Sequence, residues 1–144
     1  MKITIINGAN LNLLGMREPE IYGNISFEEY FVKLQKKFSD VQLSCYQSNI
    51  EGEIVNFIQQ ADKNSDGIII NAGGYSHTSV VIADAIKASG KPCIEVHISN
   101  IFAREQERHI SLISKYVNGS IIGLGLDGYR LAIEHLIPNS APFY

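Results

Sequence analysis

Gly67-Ile68-Ile69-Ile70-Asn71, followed at once by Ala72-Gly73-Gly74, is a short apolar run that does not alternate. A strand with one wet face alternates apolar and polar side chains; an unbroken run is expected where helices cover both faces. The stretch therefore reads as a buried strand of a parallel sheet, and its neighbours agree. Upstream, Glu51 to Asn64 carries Ile54, Val55, Ile58 and Ala61 on one helical stripe. Downstream, Thr78 to Ser89 reads as a helix that stops at Gly90.

The same alternation continues to both ends. Ile3 to Asn7 is a buried strand. Ser26 to Phe38 is a helix with Phe27, Tyr30, Phe31 and Leu34 at helical spacing, and Ser26 with Glu29 forms a capping box. Val41 to Ser48 is a second strand, Pro92 to His97 a fourth and Asn118 to Ile122 a fifth. A short charged helix is expected from Phe102 to about Ser114, and a last one from Leu126 to about Ile137, ended by Pro138. Five strands alternating with five helices predict an α/β fold, a parallel sheet with helices on both faces. Neither a linker nor a repeat divides the chain, so residues 1–144 are expected to form one domain.

Bulk properties narrow the function. Hydrophobic residues are 45% and charged residues 19%, an ordinary globular profile. A net charge of -3 gives no overall attraction to nucleic acid or anionic lipid. No apolar run is long enough to span a bilayer, and the N-terminus opens into a strand without a signal-peptide core. Cys45 and Cys93 lie in apolar runs, as expected of buried reduced thiols, and no zinc-type spacing occurs. The expected compartment is the cytoplasm, where the acceptor patterns at Asn24 and Asn118 would stay unglycosylated.

Ligands of such folds bind outside the carboxyl ends of the strands. Those ends hold Asn7 to Asn10, Asn71 to Gly74, and His97 to Asn100. Glu95 and His97 are two apart on one strand and face the same side, so the carboxylate can fix the ring for acid–base work. Gly73 and Gly74 let backbone N–H groups approach an anion, although a tight turn also wants glycine. His77 and Asp84 are seven apart and are expected on one helix face. Arg104 and Arg108 are four apart; they fit a solvated face beside Glu105 and Glu107, or an anionic or polyhydroxyl ligand. Ile98 and Ser99 precede that helix, where backbone N–H groups suit a carboxylate.

Gly15 to Gly23 is long for a strand-to-helix loop and is expected to act as a lid. It carries Arg17 and, five residues on, Tyr22. A phenol has an unperturbed pKa of about 10, and a nearby guanidinium favours its anion. Lowering that value by about three units takes roughly 4 kcal/mol. Gly123 to Gly128 matches a GxGxxG pattern, but the strand and acidic residue that a dinucleotide site needs do not follow, so it reads as close helix–strand packing.

Taken together, Asn7 to Gly15, Arg17 to Gly23, Asn71 to Ser79, Glu95 to Asn100, Ala103 to Glu105 and Gly123 to Gly125 resemble the type II 3-dehydroquinate dehydratases in order and over the whole domain. The resemblance implies a flavodoxin-like fold with strand order 2-1-3-4-5. It implies reversible dehydration of 3-dehydroquinate to 3-dehydroshikimate in the shikimate route, without a metal, an organic cofactor or a Schiff-base lysine. It implies a homo-oligomer, a dodecamer built as a tetramer of trimers.

Carried over residue by residue, the resemblance makes Tyr22 the general base and Arg17 the cation that keeps it ionised. His97 becomes the general acid, oriented by Glu95, and Asn10 holds a water near the enolate oxygen. Asn71, Gly73 and Gly74, with the backbone at Ile98 and Ser99, fall in the substrate-binding set. His77, Arg104 and Arg108 complete that set, and Asp84 reaches a neighbouring subunit's site. Two positions depart from the family pattern: Glu107 replaces a usual aromatic or apolar residue, and Ala83 stands where many members have Arg.

Two non-enzymatic readings compete. A receiver-like phospho-switch wants acidic residues where Asn7, Asn10 and Asn71 stand. A flavin-binding carrier wants a hydroxyl-rich loop, and Gly8-Ala9-Asn10-Leu11-Asn12 has no Ser or Thr.

Overall fold

A computed structural model describes residues 1–16, 20 and 24–138 of the chain. Five strands form one parallel sheet: β1 Lys2–Asn7, β2 Gln42–Gln47, β3 Gly67–Asn71, β4 Cys93–His97 and β5 Gly119–Ile122. Their order is β2-β1-β3-β4-β5. The four α-helices of the described residues are α1 Phe27–Lys37, α2 Glu51–Asn64, α3 Val80–Ala88 and α4 Asp127–Leu136.

Every residue of β3 and β4 is buried, which accounts for the non-alternating run at Gly67 to Asn71. Alternate side chains along the strands feed two separate cores. Ile3, Ile5, Ile69, Ile94 and Val96 point to the face covered by α1 and α4, where Phe27, Leu34, Ala132, Ile133 and Leu136 meet them. Ile6, Ile68 and Ile70 point the other way, onto Ile54 and Ile58 of α2 and Ile82 and Ile86 of α3. Each such isoleucine contributes ~1.5–3 kcal/mol by leaving water. Ala83 is buried among this second group.

The capping box is present: the Ser26 hydroxyl accepts from the Glu29 N–H and the Glu29 carboxylate accepts from the Ser26 N–H. Helix α3 starts two residues later than expected, because a 3₁₀ turn at Gly73–His77 takes up the chain and Ser79 becomes the cap. His77 is therefore not on a helix face with Asp84. The charged helix expected from Phe102 to Ser114 is replaced by three short 3₁₀ turns, Ile101–Ala103, Gln106–Arg108 and Ser114–Tyr116. Local bonds defeat the helix: the Asn100 side chain accepts from Phe102 N–H, and His109 Nε2 bonds the Arg104 carbonyl. Gly128 of the GxGxxG stretch packs on β4, where a Cβ would come within 3.1 Å of Val96 Cγ1. Close helix–strand contact is what that pattern serves here.

The ends of β1 and β3 lie backbone to backbone. Asn7 and Asn71 are register partners, and Gly8 N–H donates to the Asn71 carbonyl at 2.7 Å. A Cβ at Gly8 would sit 2.2 Å from the Ala72 carbonyl oxygen. Gly8→Ala is therefore expected to cost about 3 kcal/mol or to prevent folding. Gly52→Ala, in the first turn of α2 with open space around it, should instead be neutral or stabilise by about 0.5–1 kcal/mol. Urea denaturation of the two variants checks the contrast.

Candidate functional site

Three connections leave the carboxyl edge of the sheet beside one another and enclose a cavity. The loop after β1 contributes Ala9, Asn10, Leu11, Leu13 and Leu14. The turn after β3 contributes Gly73, Gly74 and His77, with Asn71 at the strand end. The segment after β4 contributes Ile98, Ser99, Ile101, Arg104 and Arg108, with His97 at the strand end.

Each wall has a local cause. Asn10 adopts the left-handed conformation at φ 69°, which asparagine tolerates better than most residues. Its N–H is held by the Asn49 side chain at 2.9 Å. Gly73, at φ 62°, passes so near Ala9 that a Cβ would meet the Ala9 carbonyl oxygen at 2.7 Å. Arg104 bonds the Ser99 hydroxyl at 3.3 Å, and Arg108 pairs with Glu105 at 2.5 Å. That pair holds the exposed Glu105 carboxyl down at about 2, first through the Arg108 hydrogen bond. Both arginines thus line the cavity, although no helix puts them there.

The most ordered chemistry sits at the end of β4. His97 is 5% exposed and Glu95 not at all, and His97 Nε2 lies 2.7 Å from Glu95 Oε1. The same Oε1 accepts from Ser111 at 2.6 Å, while Oε2 accepts from Ser114 and, at 2.8 Å, from Ser120. Burial alone would raise the Glu95 carboxyl. The hydrogen bond and charge of His97, with the Ser111 and Ser114 hydroxyls, outweigh it and hold the group at about 2. An ionised Glu95 only accepts, so Nε2 carries the ring proton and Nδ1 is the nitrogen left for the cavity. His77 stacks on this ring with centroids 5.9 Å apart. Burial first, then the charges of His97 and Arg108, lower the His77 pKa from its ordinary value, favouring a neutral ring.

A second network fixes Asn71. Tyr129 of α4 is fully buried, and its hydroxyl donates to Asn7 Oδ1 at 2.8 Å while accepting from Asn71 Nδ2 at 2.9 Å. Asn71 Oδ1 in turn accepts from Gly73 N–H at 3.2 Å. The amide's orientation is thereby set, with one Nδ2 proton left for a ligand. Burial keeps the Tyr129 hydroxyl protonated, raising its pKa above the ordinary tyrosine value. Burial also pushes both thiols up to about 12, so neither Cys45 nor Cys93 is a nucleophile at neutral pH.

Of the residues expected from sequence, Asn10, Asn71, Gly73, Gly74, His77, His97, Ile98, Ser99, Arg104 and Arg108 line the one cavity. Glu95 stands behind His97. Asp84 is exposed on α3 and outside the cavity. Arg17 and Tyr22 lie outside the described residues. Sequence reasoning missed Ser111, Ser114, Ser120 and Tyr129. Ser120 is the register partner of Glu95 across β4–β5, visible only once the strands are paired. Tyr129 carried a signal, a phenol on the apolar stripe with Ala132, Ile133 and Leu136, since a buried hydroxyl requires a partner.

An order 2-1-3-4-5 sheet with its cavity at the carboxyl edge, lined by a carboxylate-held histidine, defines an enzyme-type site on a flavodoxin-like scaffold. The family model for class II dehydroquinases matches residues 1–137. A 3-dehydroquinate dehydratase of Fusobacterium nucleatum is 54% identical, over 95% of this chain and 97% of that one. A catabolic 3-dehydroquinase of Aspergillus fumigatus is 50% identical, over 95% of this chain and 93% of that one. The crystal structure of a type II dehydroquinase from Butyrivibrio crossotus superposes with a TM-score of 0.90 at 48% identity, covering 96% of this chain and 98% of that one. The chain belongs to the class II dehydroquinase family.

Two outcomes test the networks. Tyr129→Phe strands the Asn7 carbonyl and one Asn71 N–H, and is expected to lower stability by about 1–3 kcal/mol in chemical denaturation. Glu95 has a folded pKa of about 2 against an ordinary 4.5, so its ionised form stabilises the fold above pH 4.5 and loses that effect as pH falls toward 2. Glu95→Gln should make the fall in stability across that window shallower.

Proposed function

We propose that the chain catalyses the reversible dehydration of 3-dehydroquinate to 3-dehydroshikimate by acid–base chemistry, with Tyr22 as base and His97 as acid. The Glu95–His97 pair on the cavity wall carries the assignment, together with relatives about half identical over nearly the whole chain whose names state this activity.

The Tyr22 phenolate takes a proton from the carbon beside the ketone, and the electron pair moves into an enolate. Arg17 keeps the phenol ionised and steadies the developing charge. A water held by Asn10 bonds the enolate oxygen. Collapse of the enolate expels the hydroxyl, which takes the Nδ1 proton of the doubly protonated His97 ring and leaves as water; the ring keeps its Nε2 proton on Glu95. The proton gained by Tyr22 balances the one lost by His97, and the next cycle begins when both are restored. The ring nitrogen facing the leaving group is ready because Glu95 occupies the other.

Asn71, Gly73, Gly74 and the Ile98–Ser99 segment hold the carboxylate and ring hydroxyls; His77, Arg104 and Arg108 make further polar contacts. All of them border the same cavity. The reaction as written needs no metal and no organic cofactor.

The chain acts as one catalytic domain within a dodecamer, four trimers in which Asp84 reaches the neighbouring site. Its exposure on α3 supports that role, as do Val80 and Val81, 62% and 51% exposed on the same helix. Free thiols at Cys45 and Cys93 fit the cytoplasm.

An ultraviolet assay for the conjugated enone product, run with 3-dehydroquinate, tests the activity. Wild type is expected to be active and Tyr22→Phe to lose about 10²-fold or more in kcat. Arg17→Ala should lower kcat far more than it raises KM. An inactive wild type refutes the assignment; a fully active Tyr22→Phe removes Tyr22 as base.

A further inference from the structure

We propose that Ser111, Ser114 and Ser120 are positioning residues for the acid–base step, holding the Glu95 carboxylate ionised and fixed and, through it, the His97 ring. The proposal rests on the dehydratase reading above.

A carboxylate offers about four lone-pair sites. On Glu95 all four have donors: His97 Nε2 and Ser111 on Oε1, Ser114 and Ser120 on Oε2. Glu95 is cut off from water, so these groups replace its hydration shell. They converge from separate places. Ser111 and Ser114 come from the irregular connection between β4 and β5, and Ser120 from edge strand β5, directly across from Glu95. The connection is itself tied down, with Leu112 N–H bonding the Ser76 carbonyl at 2.8 Å.

None of the three serines borders the cavity. Their influence on the reaction passes through Glu95 and His97 alone. Because every Glu95 site is occupied by a donor, the carboxylate resists taking up a proton at neutral pH. It cannot serve as a relay, so the Nε2 proton stays and only Nδ1 exchanges protons with the cavity. Once Ser114 and Ser120 are removed, burial acts on Oε2 without opposition and the carboxyl takes up protons more readily.

The other titratable and charged groups facing Glu95 are few. On its own strand are His97 and the Cys93 thiol, which is pushed up to about 12 and stays neutral. Stacked on the His97 ring is His77, which also feels the charges of Glu95 and Arg108. None supplies what the lost hydroxyls would withdraw from Oε2.

The test is kcat and KM for 3-dehydroquinate at neutral pH, with the Glu95 side-chain carboxyl followed against pH by carbon-13 NMR, in wild type, Ser114→Ala/Ser120→Ala and Ser114→Thr/Ser120→Thr. The double alanine variant is expected to lose about tenfold in kcat with little change in KM. Its Glu95 titration should move up by about one pH unit or more. The threonine variant, which keeps both hydroxyls, should return toward wild type. If the double alanine variant does not fold, Ser120→Ala alone should move the titration in the same direction by a smaller amount. A Glu95 titration that stays in place, or a rise in KM with kcat unchanged, overturns the inference. An inactive wild type instead overturns the dehydratase reading and this inference with it, so the two failures are distinguishable.

Discussion

A carboxylate placed in the middle of a sheet, away from water, must find donors or lose its charge. Glu95 occupies such a position on β4, a strand buried along its whole length. Its needs organise the surrounding chain: β5 brings one hydroxyl, the connection before β5 brings two, and His97 turns Nε2 inward. The histidine is thereby fixed in tautomer and angle at the cavity wall. A neutral apolar residue in its place would leave His97 Nε2 and three serine hydroxyls without their acceptor.

The adjoining strand ends use the same principle with neutral groups. Asn7 and Asn71 end adjacent strands in register, and two amides alone would leave their orientation undecided. Tyr129 breaks that ambiguity by donating to one and accepting from the other. Both networks begin in one of the packed layers and finish at the sheet's carboxyl edge. Catalytic precision in this fold thus comes from buried polar groups with complete partners, while the loops supply the changeable surface.

The stretch between β4 and β5 shows how local and tertiary forces compete. Its charged residues at helical spacing favour a helix, yet side-chain bonds from Asn100 and His109 hold 3₁₀ turns instead. That irregular path is what lets Arg104 and Arg108 border the cavity while Ser111 and Ser114 turn inward to Glu95. A regular helix would present its residues every 100° and could not divide them in this way.

The alternation of strands and helices, the burial of Gly67 to Asn71, the Ser26 capping box and the pairing of Glu95 with His97 were all legible in the chain, because each depends on residues a few positions apart. So was the gathering of Asn10, Asn71, His77 and His97 at one edge, since parallel strands must end on the same side. The partners of Glu95 and the clamp on Asn71 were not legible. Ser111, Ser114 and Ser120 are 16 to 25 residues from Glu95, and Tyr129 is 122 residues from Asn7. Short-range spacing fixes which element a residue joins and which face it takes; only the packing of distant elements decides which hydroxyl meets which carboxylate, because burial makes that choice after the sheet has closed around it.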